Sequence, residues 1–478
     1  MKTAGWRCEV TSKYRRLARQ LQGQIENGVW QPGDKLPSLR ETVKQSGFSL
    51  MTVLNAYQLL ESQGWILAQP QSGYRVAPCQ HSPANLARPA LHAAEAVDVN
   101  AFIFNVLQSG QRPDCVAFGS AFPDASLFPQ EQLARSLGRV ARHLTPDQQL
   151  VLPPGCAELR RAIARRYAAR GMEVTPEEIV ITSGALEALN LSLQTLTRPG
   201  DWVVVEAPAF YGALQAIERL QLKALAVPAD VTAGLDLDAL ADALGRYPVK
   251  ACWLMSHCQN PLGVSLGVQS RSRLLALLRE HQVPLIEDDV YMELYDGERA
   301  PLPLRAQDPG VLHCSSFSKT LATGLRIGWV SAGKRAPDIQ RLQLMSTLST
   351  SAPMQLALAD YLASHHYDRH LRTLRRVLQQ RKQRFYEALC QLLPAQVRVD
   401  PGTGGYFLWL SLPESMDATR LYHLALAEGI TIAPGRMFAA GEQFRHCFRL
   451  NVSLPWNSRT EAAVGRLSVL IRALISGC

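Results

Sequence analysis

The segment SSFSKTLATGLRIGW, residues 315–329, is the most informative stretch of this 478-residue chain. Lys319 lies between two hydroxyl residues, Ser318 and Thr320, and Arg326 follows seven residues later. A lysine amine forms a Schiff base with an aldehyde, while hydroxyl groups and a guanidinium bind phosphate. The segment therefore suits a phosphate-bearing aldehyde, although alone it would more often be an ordinary loop.

Small or polar residues also follow other apolar runs in this part of the chain. Residues 182–185 (Thr-Ser-Gly-Ala) close one run and open a helix, whose free backbone N–H groups can hold an anion. Asp288 closes another run, where a carboxylate could face a pyridinium nitrogen, and Asn260 follows a third, where it could bond a phenolate. Each feature alone is explained equally well by a turn or a cap, so only their combination carries weight.

The apolar runs themselves predict an α/β domain. They are nearly continuous, end in polar residues and alternate with helical segments, which is typical of parallel strands buried on both faces and joined by crossover helices. The runs are residues 178–182, 202–206, 251–255 and 284–288.

The first 76 residues have a different organisation. Three helices are predicted, the second beginning with a capping box at Ser38 and Glu41 and the third at Ser49, followed by strands 65–68 and 73–76. This is a winged helix-turn-helix pattern. Ten Lys or Arg against five acidic residues within residues 1–76, in a chain of net charge +9, fit nucleic-acid binding, although a solvated basic face explains the excess as well.

The predicted boundaries are 10–78 for the winged helix-turn-helix, 79–97 for a Pro- and Ala-rich linker and 98–478 for the α/β domain. No apolar run approaches the roughly 20 residues of a membrane span, and the chain starts without a secretory apolar region. Ten cysteines without C-x-x-C spacing predict reduced, packing thiols in a cytoplasmic protein, and no metal site is predicted.

Residues 115–475 closely resemble fold-type-I pyridoxal-phosphate enzymes of the aspartate aminotransferase group, above all in S-F-S-K-x-x-x-x-G-L-R-I-G-W. The resemblance implies a mostly parallel large domain and a smaller C-terminal α+β subdomain. It makes Lys319 and Asp288 catalytic, as the Schiff-base lysine and the partner of the pyridine nitrogen. The other implied residues are Asn260 and Tyr291 at the ring hydroxyl, Phe210 stacked on the ring, Ser183, Gly184, Ala185, Ser316, Ser318 and Arg326 around the phosphate, and Arg449 at a substrate carboxylate.

One position departs from that family. The family often has a tyrosine that reaches the partner subunit's cofactor phosphate, and the matching residue here is Leu150. Either the phosphate has one hydrogen bond fewer or another residue supplies it. This departure bears more on full transaminase activity than on cofactor binding.

Residues 13–76 resemble GntR-type repressors, through residues 30–40 (WQPGDKLPSLR), the third helix and the Gly73-Tyr74-x-Val76 wing. The resemblance implies that the third helix enters the major groove and the wing approaches the minor groove. The implied DNA-contacting residues are Lys35, Ser38, Arg40, Lys44, Ser49, Thr52 and Gly73.

Two positions of the third helix depart from the GntR pattern, because Leu50 and Leu54 stand where relatives often have arginine. An arginine–guanine contact typically discriminates by ~1–3 kcal/mol. The domain therefore either reads different bases, including thymine methyl groups, or depends on backbone contacts from Lys35, Lys44 and Thr52.

A GntR-type DNA-binding domain joined to an aminotransferase-like domain is the architecture of the MocR subfamily. The resemblance implies a homodimeric regulator that binds double-stranded DNA and senses pyridoxal phosphate, a small amino compound, or both. An amine that displaces Lys319 would change domain closure and, with it, the distance between the two DNA-binding domains of the homodimer. Two alternatives are an active aminotransferase with an accessory DNA-binding arm and a large domain that serves only as a dimerisation scaffold.

Overall fold

The chain folds into two compact units, residues 1–87 and 88–478, in the computed structural model. The predicted linker lies outside the described residues, except that residues 92–94 form a strand of the large unit. The described residues are 13–26, 29–69, 73–77, 92–94, 100–110, 112–297, 300–364 and 366–476.

The N-terminal unit has the predicted three helices and a two-stranded antiparallel wing. Ser38 Oγ accepts from the Glu41 amide, and the Ser38 amide donates to Glu41 Oε2, so the predicted capping box is confirmed. The first wing strand begins one residue later than predicted. The elements are α1 (Lys13–Glu26), α2 (Leu39–Ser46), α3 (Leu50–Ser62), β1 (Ile66–Gln69) and β2 (Gly73–Val76).

A large mixed sheet organises the second unit. Its strands are β3 (His92–Ala94), β4 (Ile179–Thr182), β5 (Trp202–Ala207), β6 (Lys223–Asp230), β7 (Gly234–Leu235), β8 (Val249–Leu254), β9 (Leu285–Asp288), β10 (Leu312–Ser316) and β11 (Gly328–Ser331). Their order is β3-β6-β5-β8-β9-β10-β11-β4, with β7 paired to β6. The five central strands of this sheet are parallel to one another, as predicted. They are β6, β5, β8, β9 and β10.

The prediction of parallel pairing was wrong for β4. Its partner β11 runs antiparallel both to β4 and to β10. The four residues of β4 are all buried, and an apolar run reports burial rather than strand direction. The sequence pattern therefore located β4 correctly and did not reveal its pairing.

Helices cover the sheet and extend to the C-terminus. They are α4 (Asn100–Ser109), α5 (Gln130–His143), α6 (Ala157–Ala168), α7 (Ala185–Leu196), α8 (Tyr211–Arg219), α9 (Leu237–Arg246), α10 (Val268–Glu280), α11 (Ala336–Ser346), α12 (Ala352–Ala363), α13 (His366–Leu392), α14 (Ala418–Ala427) and α15 (Ser458–Ser476). Leu240, Leu274 and Leu278 of α9 and α10 pack with Val204 and Cys252 of the sheet in one buried cluster. Within the described segments, every helix is too short or too polar to cross a lipid bilayer.

A smaller antiparallel sheet forms the predicted C-terminal subdomain. Its strands are β12 (Arg398–Asp400), β13 (Phe407–Ser411), β14 (Ala433–Pro434) and β15 (Cys447–Asn451), in the order β12-β13-β15-β14. Arg449 lies on β15, one of the two central strands of this sheet.

The cysteines only partly follow the expectation of reduced, packing thiols. Cys390, in α13, is disulfide-bonded, which corrects that expectation for this residue. Disulfide pairing requires that two sulfur atoms meet in space, which spacing along the chain does not reveal. Buried free thiols lie at Cys115, Cys156, Cys252, Cys258, Cys314 and Cys447.

Candidate cofactor site and DNA-binding surface

Neighbouring strand ends bring the predicted site residues of the large unit together. Asp288 ends β9 opposite Cys314 of the parallel strand β10, and the chain continues from β10 to Lys319. Thr182 ends β4 opposite Gly328 of β11, just after Arg326. Sites in open α/β sheets form beyond the carboxyl ends of the parallel strands, and these residues gather there.

Lys319 is buried at the centre of this site. Its Nζ donates to the carbonyl oxygen of Ala121 at 2.7 Å and lies 4.1 Å from the centre of the Phe122 ring. Burial lowers the pKa of Lys319 to about 7, and the charge of Arg449 acts in the same direction. A substantial fraction of the amine is therefore neutral near pH 7, and the neutral form is the nucleophile.

Asp288 is a buried carboxylate near Lys319. Its Oδ1 has no hydrogen-bond partner among the described residues. Burial raises the pKa of Asp288 to about 7, with a further increase from the neighbouring Asp289 and an opposing effect of Lys319. A buried carboxylate oxygen without a partner would gain stability from a cationic N–H donor, as a pyridinium ring offers.

The predicted phosphate pocket lies where β4 leads into α7. Gly184 has φ +96°, and a Cβ there would lie 2.5 Å from the Arg326 guanidinium. Arg326 Nη2 donates to the Ser183 carbonyl at 3.2 Å, and Ser318 Oγ is buried without a partner among the described residues. A guanidinium, an unpaired hydroxyl and the N-terminus of α7, which begins at Ala185, fit an oxyanion such as phosphate.

Of the predicted phosphate residues, Ser183 already has a partner for its backbone amide and Ser316 is buried at a strand end. The Ser183 amide already donates to Glu187 Oε2 at 2.5 Å, so it is not a free anion donor. Ser316 is buried at the end of β10, opposite Gly328. Whether either side chain contacts a phosphate stays a prediction.

Arg449 and Asn260 form a hydrogen-bonded pair in the same region. Arg449 is fully buried, and its Nη1 donates to Asn260 Oδ1 at 2.7 Å while Nη2 donates to the Gly119 carbonyl at 2.8 Å. Asn260 Nδ2 and Arg449 Nε have no partner within the described part of the chain. The pair therefore retains donors for an incoming ligand.

The predicted aromatic residues pack in one cluster beside this pair. Tyr291 is buried there, and Phe210 and Ala185 pack against the same cluster as partly buried residues. The Tyr291 and Tyr406 rings lie edge to face, with centres 5.9 Å apart, and burial raises the pKa of Tyr291. Tyr291 is therefore a neutral phenol that can donate a hydrogen bond.

Sequence reasoning missed the segment from Gly119 to Phe122, which lies against Lys319 and Arg449. The Ala121 carbonyl accepts from both Lys319 Nζ and the Tyr406 hydroxyl, at 2.7 and 3.0 Å. Every residue has a backbone carbonyl, so no residue type marks this role in a sequence.

Sequence reasoning also missed a buried network behind Asp288. Asp289 Oδ1 lies 2.7 Å from His257 Nδ1, and its Oδ2 lies 2.9 Å from His313 Nε2. These contacts hold the pKa of Asp289 far below its usual range, chiefly through His257, against the effect of burial. By spacing, His257, Glu287 and Asp289 could hold a metal ion, and Arg271 Nη2 lies 2.9 Å from His257 Nε2.

The predicted DNA-contacting residues lie in the N-terminal unit. Lys35, Arg40 and Lys44 have exposed side chains. Ser38 and Ser49 cap α2 and α3, so their hydroxyl oxygens also hold helix amides.

The remaining two predicted DNA-contacting residues complete this surface. Thr52 Oγ1 lies 2.9 Å from Ser49 Oγ, and Gly73 begins β2 with φ +92°. Either hydroxyl could be the donor of this contact, so one of the two O–H groups is left to donate to an external acceptor such as phosphate.

Leu150, at the position of the family tyrosine, is 57% exposed. An apolar side chain there supplies no hydrogen bond to a phosphate. Arg326 and the Ser318 hydroxyl, unpaired among the described residues, are polar groups that the chain itself places near the N-terminus of α7.

Comparisons with known proteins match both units. Residues 130–467 match the family "Aminotransferase class I and II", and residues 13–76 match "Bacterial regulatory proteins, gntR family". The chain is 58% identical to the uncharacterized HTH-type transcriptional regulator YdcR of Escherichia coli K12, over 96% of this chain and 99% of that protein. It is 33% identical to a 2-aminoadipate transaminase of Thermus thermophilus, over 78% of this chain and 94% of that enzyme.

Two solved structures with similar folds are aminotransferases. One is LysN, the α-aminoadipate aminotransferase of Thermus thermophilus in complex with N-(5'-phosphopyridoxyl)-L-leucine, with TM-score 0.72 and 30% identity. The similarity covers 77% of this chain and 94% of that one. Another is a multiple substrate aminotransferase of Thermococcus profundus, with TM-score 0.73 and 27% identity, over 79% of this chain and 96% of that one.

Proposed function

Because this chain belongs to the class I and II aminotransferase family and, with its GntR-type domain, to the MocR type of HTH regulators, we propose that it is a DNA-binding transcription regulator controlled through pyridoxal phosphate. One observation carries most weight. The buried polar atoms Asp288 Oδ1, Asn260 Nδ2 and Ser318 Oγ have no partner among the described residues, in the same site as Lys319. Buried polar groups are rarely left without a partner, and a bound ligand, ion or ordered water usually satisfies those that the protein does not.

The chain's own residues define how the cofactor would be held. When bound, pyridoxal phosphate supplies an aldehyde that reacts with amines and a ring that withdraws electrons. Lys319 would hold it covalently, and Asp288 would pair with its ring nitrogen. The further residues proposed to contact it are Ser183, Gly184, Ala185, Ser316, Ser318 and Arg326 at the phosphate, and Phe210, Asn260 and Tyr291 at the ring.

The effector proposed for this site is a small amino compound with a carboxylate. Arg449 would grip the carboxylate bidentately, and its unpaired Nε is available for this contact. To act as a switch, the effector must bind one geometry of the homodimer better than another, and a tenfold preference corresponds to about 1.4 kcal/mol. The regulator would act in the cytoplasm, on double-stranded DNA.

The test is selection of DNA fragments from a random pool by the full-length protein, with and without pyridoxal phosphate. We expect a specific sequence to be enriched, and its retention to change with the cofactor. In Lys319→Ala the cofactor should have no effect on retention, whereas Lys334→Ala, which removes an exposed lysine, should behave as the unaltered protein.

Two other results would contradict the proposal. Steady transamination of an amino acid with a 2-oxo acid, with no specific DNA retained, would indicate an enzyme with an accessory arm. The second result is a spectrum that shows only free pyridoxal phosphate after its addition, the same as with Lys319→Ala. It would indicate that the large unit serves only as a dimerisation scaffold.

A further inference from the structure

The exposed face of α3 is apolar at its N-terminal end. Leu50 and Met51 are 53% and 63% exposed, in a small unit whose other described large apolar side chains, apart from Val29, are buried or half-buried. Val53, Ala56, Tyr57 and Leu60, on the opposite face of α3, are buried in the core of the N-terminal unit, so this core fixes which face points outward.

The same face continues with amide side chains. Leu54, half-buried, and Asn55 and Gln58, both exposed, follow Leu50 and Met51 at helical spacing. The whole helix, LMTVLNAYQLLES, contains no lysine or arginine and has one acidic residue, in its last turn. Its exposed face therefore offers methyl and methylene groups and two primary amides, and no cation.

Three exposed cations of this unit lie on α2, which packs against α3, or just before it. Arg40 and Lys44, both exposed, lie on α2, whose Thr42 Oγ1 is 2.8 Å from the Tyr57 hydroxyl of α3, and the exposed Lys35 precedes α2. The backbone of Lys35 forms an isolated antiparallel β-bridge with that of Arg75 in the wing strand β2. A neutral, partly apolar helix face flanked by cations is complementary to a DNA groove, in which phosphates border neutral base edges.

We infer that the exposed face of α3 reads A·T base pairs in the major groove, through thymine methyl groups at Leu50 and Met51 and adenine edges at Asn55 and Gln58. Among the groups in the major groove, only the thymine C5-methyl is apolar, and Asn or Gln pairs with adenine N6 and N7. Guanine is most often read by Arg or Lys, which α3 lacks. This inference rests on the proposed function and specifies the DNA that the regulator recognises.

The experiment begins with the DNA sites that the full-length protein selects from a random pool. We expect an A·T-rich core in each half-site. Duplexes of the selected sequence are then made with deoxyuridine in place of single thymines, which removes only the C5-methyl group. Affinity should fall about fourfold for each contacted methyl, from the free energy of burying one such group.

A second substitution tests the amide contacts. Replacing single adenines with 7-deazaadenine removes the N7 acceptor, and affinity should fall about tenfold where Asn55 or Gln58 makes a bidentate contact. Both base changes leave the minor-groove edges intact. Recognition of A·T-rich DNA through minor-groove width alone would therefore be insensitive to both, and that result would overturn the inference.

A variant reverses the predicted preference. Leu50→Arg should change the selected base at one position of each half-site from A·T to guanine, because arginine binds guanine O6 and N7. The matched control is Gln20→Arg, on the exposed side of α1, which adds the same charge and should leave the selected sequence unchanged. An unchanged sequence in Leu50→Arg, with bound DNA retained, would contradict a reading role for this face.

The outcomes separate this inference from the function on which it rests. If no sequence is enriched at all, the proposed regulator function fails as well. If a sequence is enriched but is G·C-rich, or is unaffected by both base analogues, the protein remains a specific DNA-binding regulator and only the role of α3 is refuted.

Discussion

Lys319 and Asp288 influence each other's proton affinity inside one buried site. Burial lowers the pKa of the amine and raises that of the carboxyl, and both reach about 7. Each group opposes the other's shift, because an ammonium and a carboxylate stabilise each other. The apoprotein is therefore prepared to present a neutral amine to an aldehyde near neutral pH, which an exposed lysine with an ordinary pKa near 10.4 would not do.

The first prediction concerns the rate at which the apoprotein captures pyridoxal phosphate. Neutral amine accumulates as pH rises through the pKa, so the rate should rise with a midpoint near 7. In Asp288→Asn the carboxylate that raises the pKa of Lys319 is absent, and the midpoint should move to lower pH. The measurement is stopped-flow absorbance of the bound cofactor between about pH 5 and about pH 9.

The control for this profile is Asp360→Asn, which removes a carboxylate paired with Arg139 away from the site. Its midpoint should match that of the unaltered protein. A midpoint near the ordinary lysine value, in any of the three proteins, would show that burial does not control this amine.

The junction between β4 and α7 shows how an element positions a ligand group. Gly184 adopts φ +96°, and its missing side chain leaves the space that the Arg326 guanidinium fills. Gly328 of β11 packs equally closely, since a Cβ there would lie 2.5 Å from the Gly184 carbonyl carbon. The two glycines let the strand ends approach, and this approach brings Arg326 to the N-terminus of α7.

Gly184→Ala should weaken cofactor binding by displacing Arg326. Loss of a charged hydrogen bond costs about 1.5–3 kcal/mol, so the dissociation constant for pyridoxal phosphate should rise more than tenfold. The added backbone strain should also lower the free energy of unfolding by about 1–2 kcal/mol. Absorbance titration measures the affinity, and urea denaturation measures the stability.

Gly200→Ala separates these two effects. Gly200 has φ +90°, and a Cβ there meets no described atom within 4 Å, so the variant carries similar strain without the collision. We expect a comparable loss of stability and unchanged affinity. If both variants lost affinity equally, strain rather than the position of Arg326 would explain the result.

At the scale of the whole molecule, the chain divides into two units with separate hydrophobic cores. The N-terminal core unites α1, α3 and the wing around residues such as Ile25, Tyr57 and Ile66. The residues around Lys319 all belong to the second unit. Cofactor capture and DNA retention are therefore expected to be separable by deletion.

Removal of residues 1–87 should abolish specific DNA retention and leave cofactor capture intact. The absorbance of the bound cofactor and the retention of a selected duplex in a gel-shift assay measure the two activities, with the full-length chain as the control. If the chain without residues 1–87 folds, as judged by circular dichroism, but no longer captures the cofactor, cofactor capture by the large unit depends on the N-terminal unit.

Local patterns in the sequence determined much of this protein. The capping box at Ser38 follows from contacts between residues three positions apart, and the Lys319 segment combines its chemical groups within a few residues. Such features are local, so residue type and spacing suffice to predict them. The apolar runs likewise located the buried strands, because burial on both faces demands apolar residues at every position.

Only the tertiary structure decided how distant parts combine. It brought Arg449 to Asn260, 189 residues earlier, and the Ala121 carbonyl to Lys319, 198 residues later. It paired β4 antiparallel with β11, and it set the pKa of Lys319 through burial. These properties depend on which groups become neighbours after folding and on how much water they lose, and neither quantity is encoded in the spacing of residues along the chain.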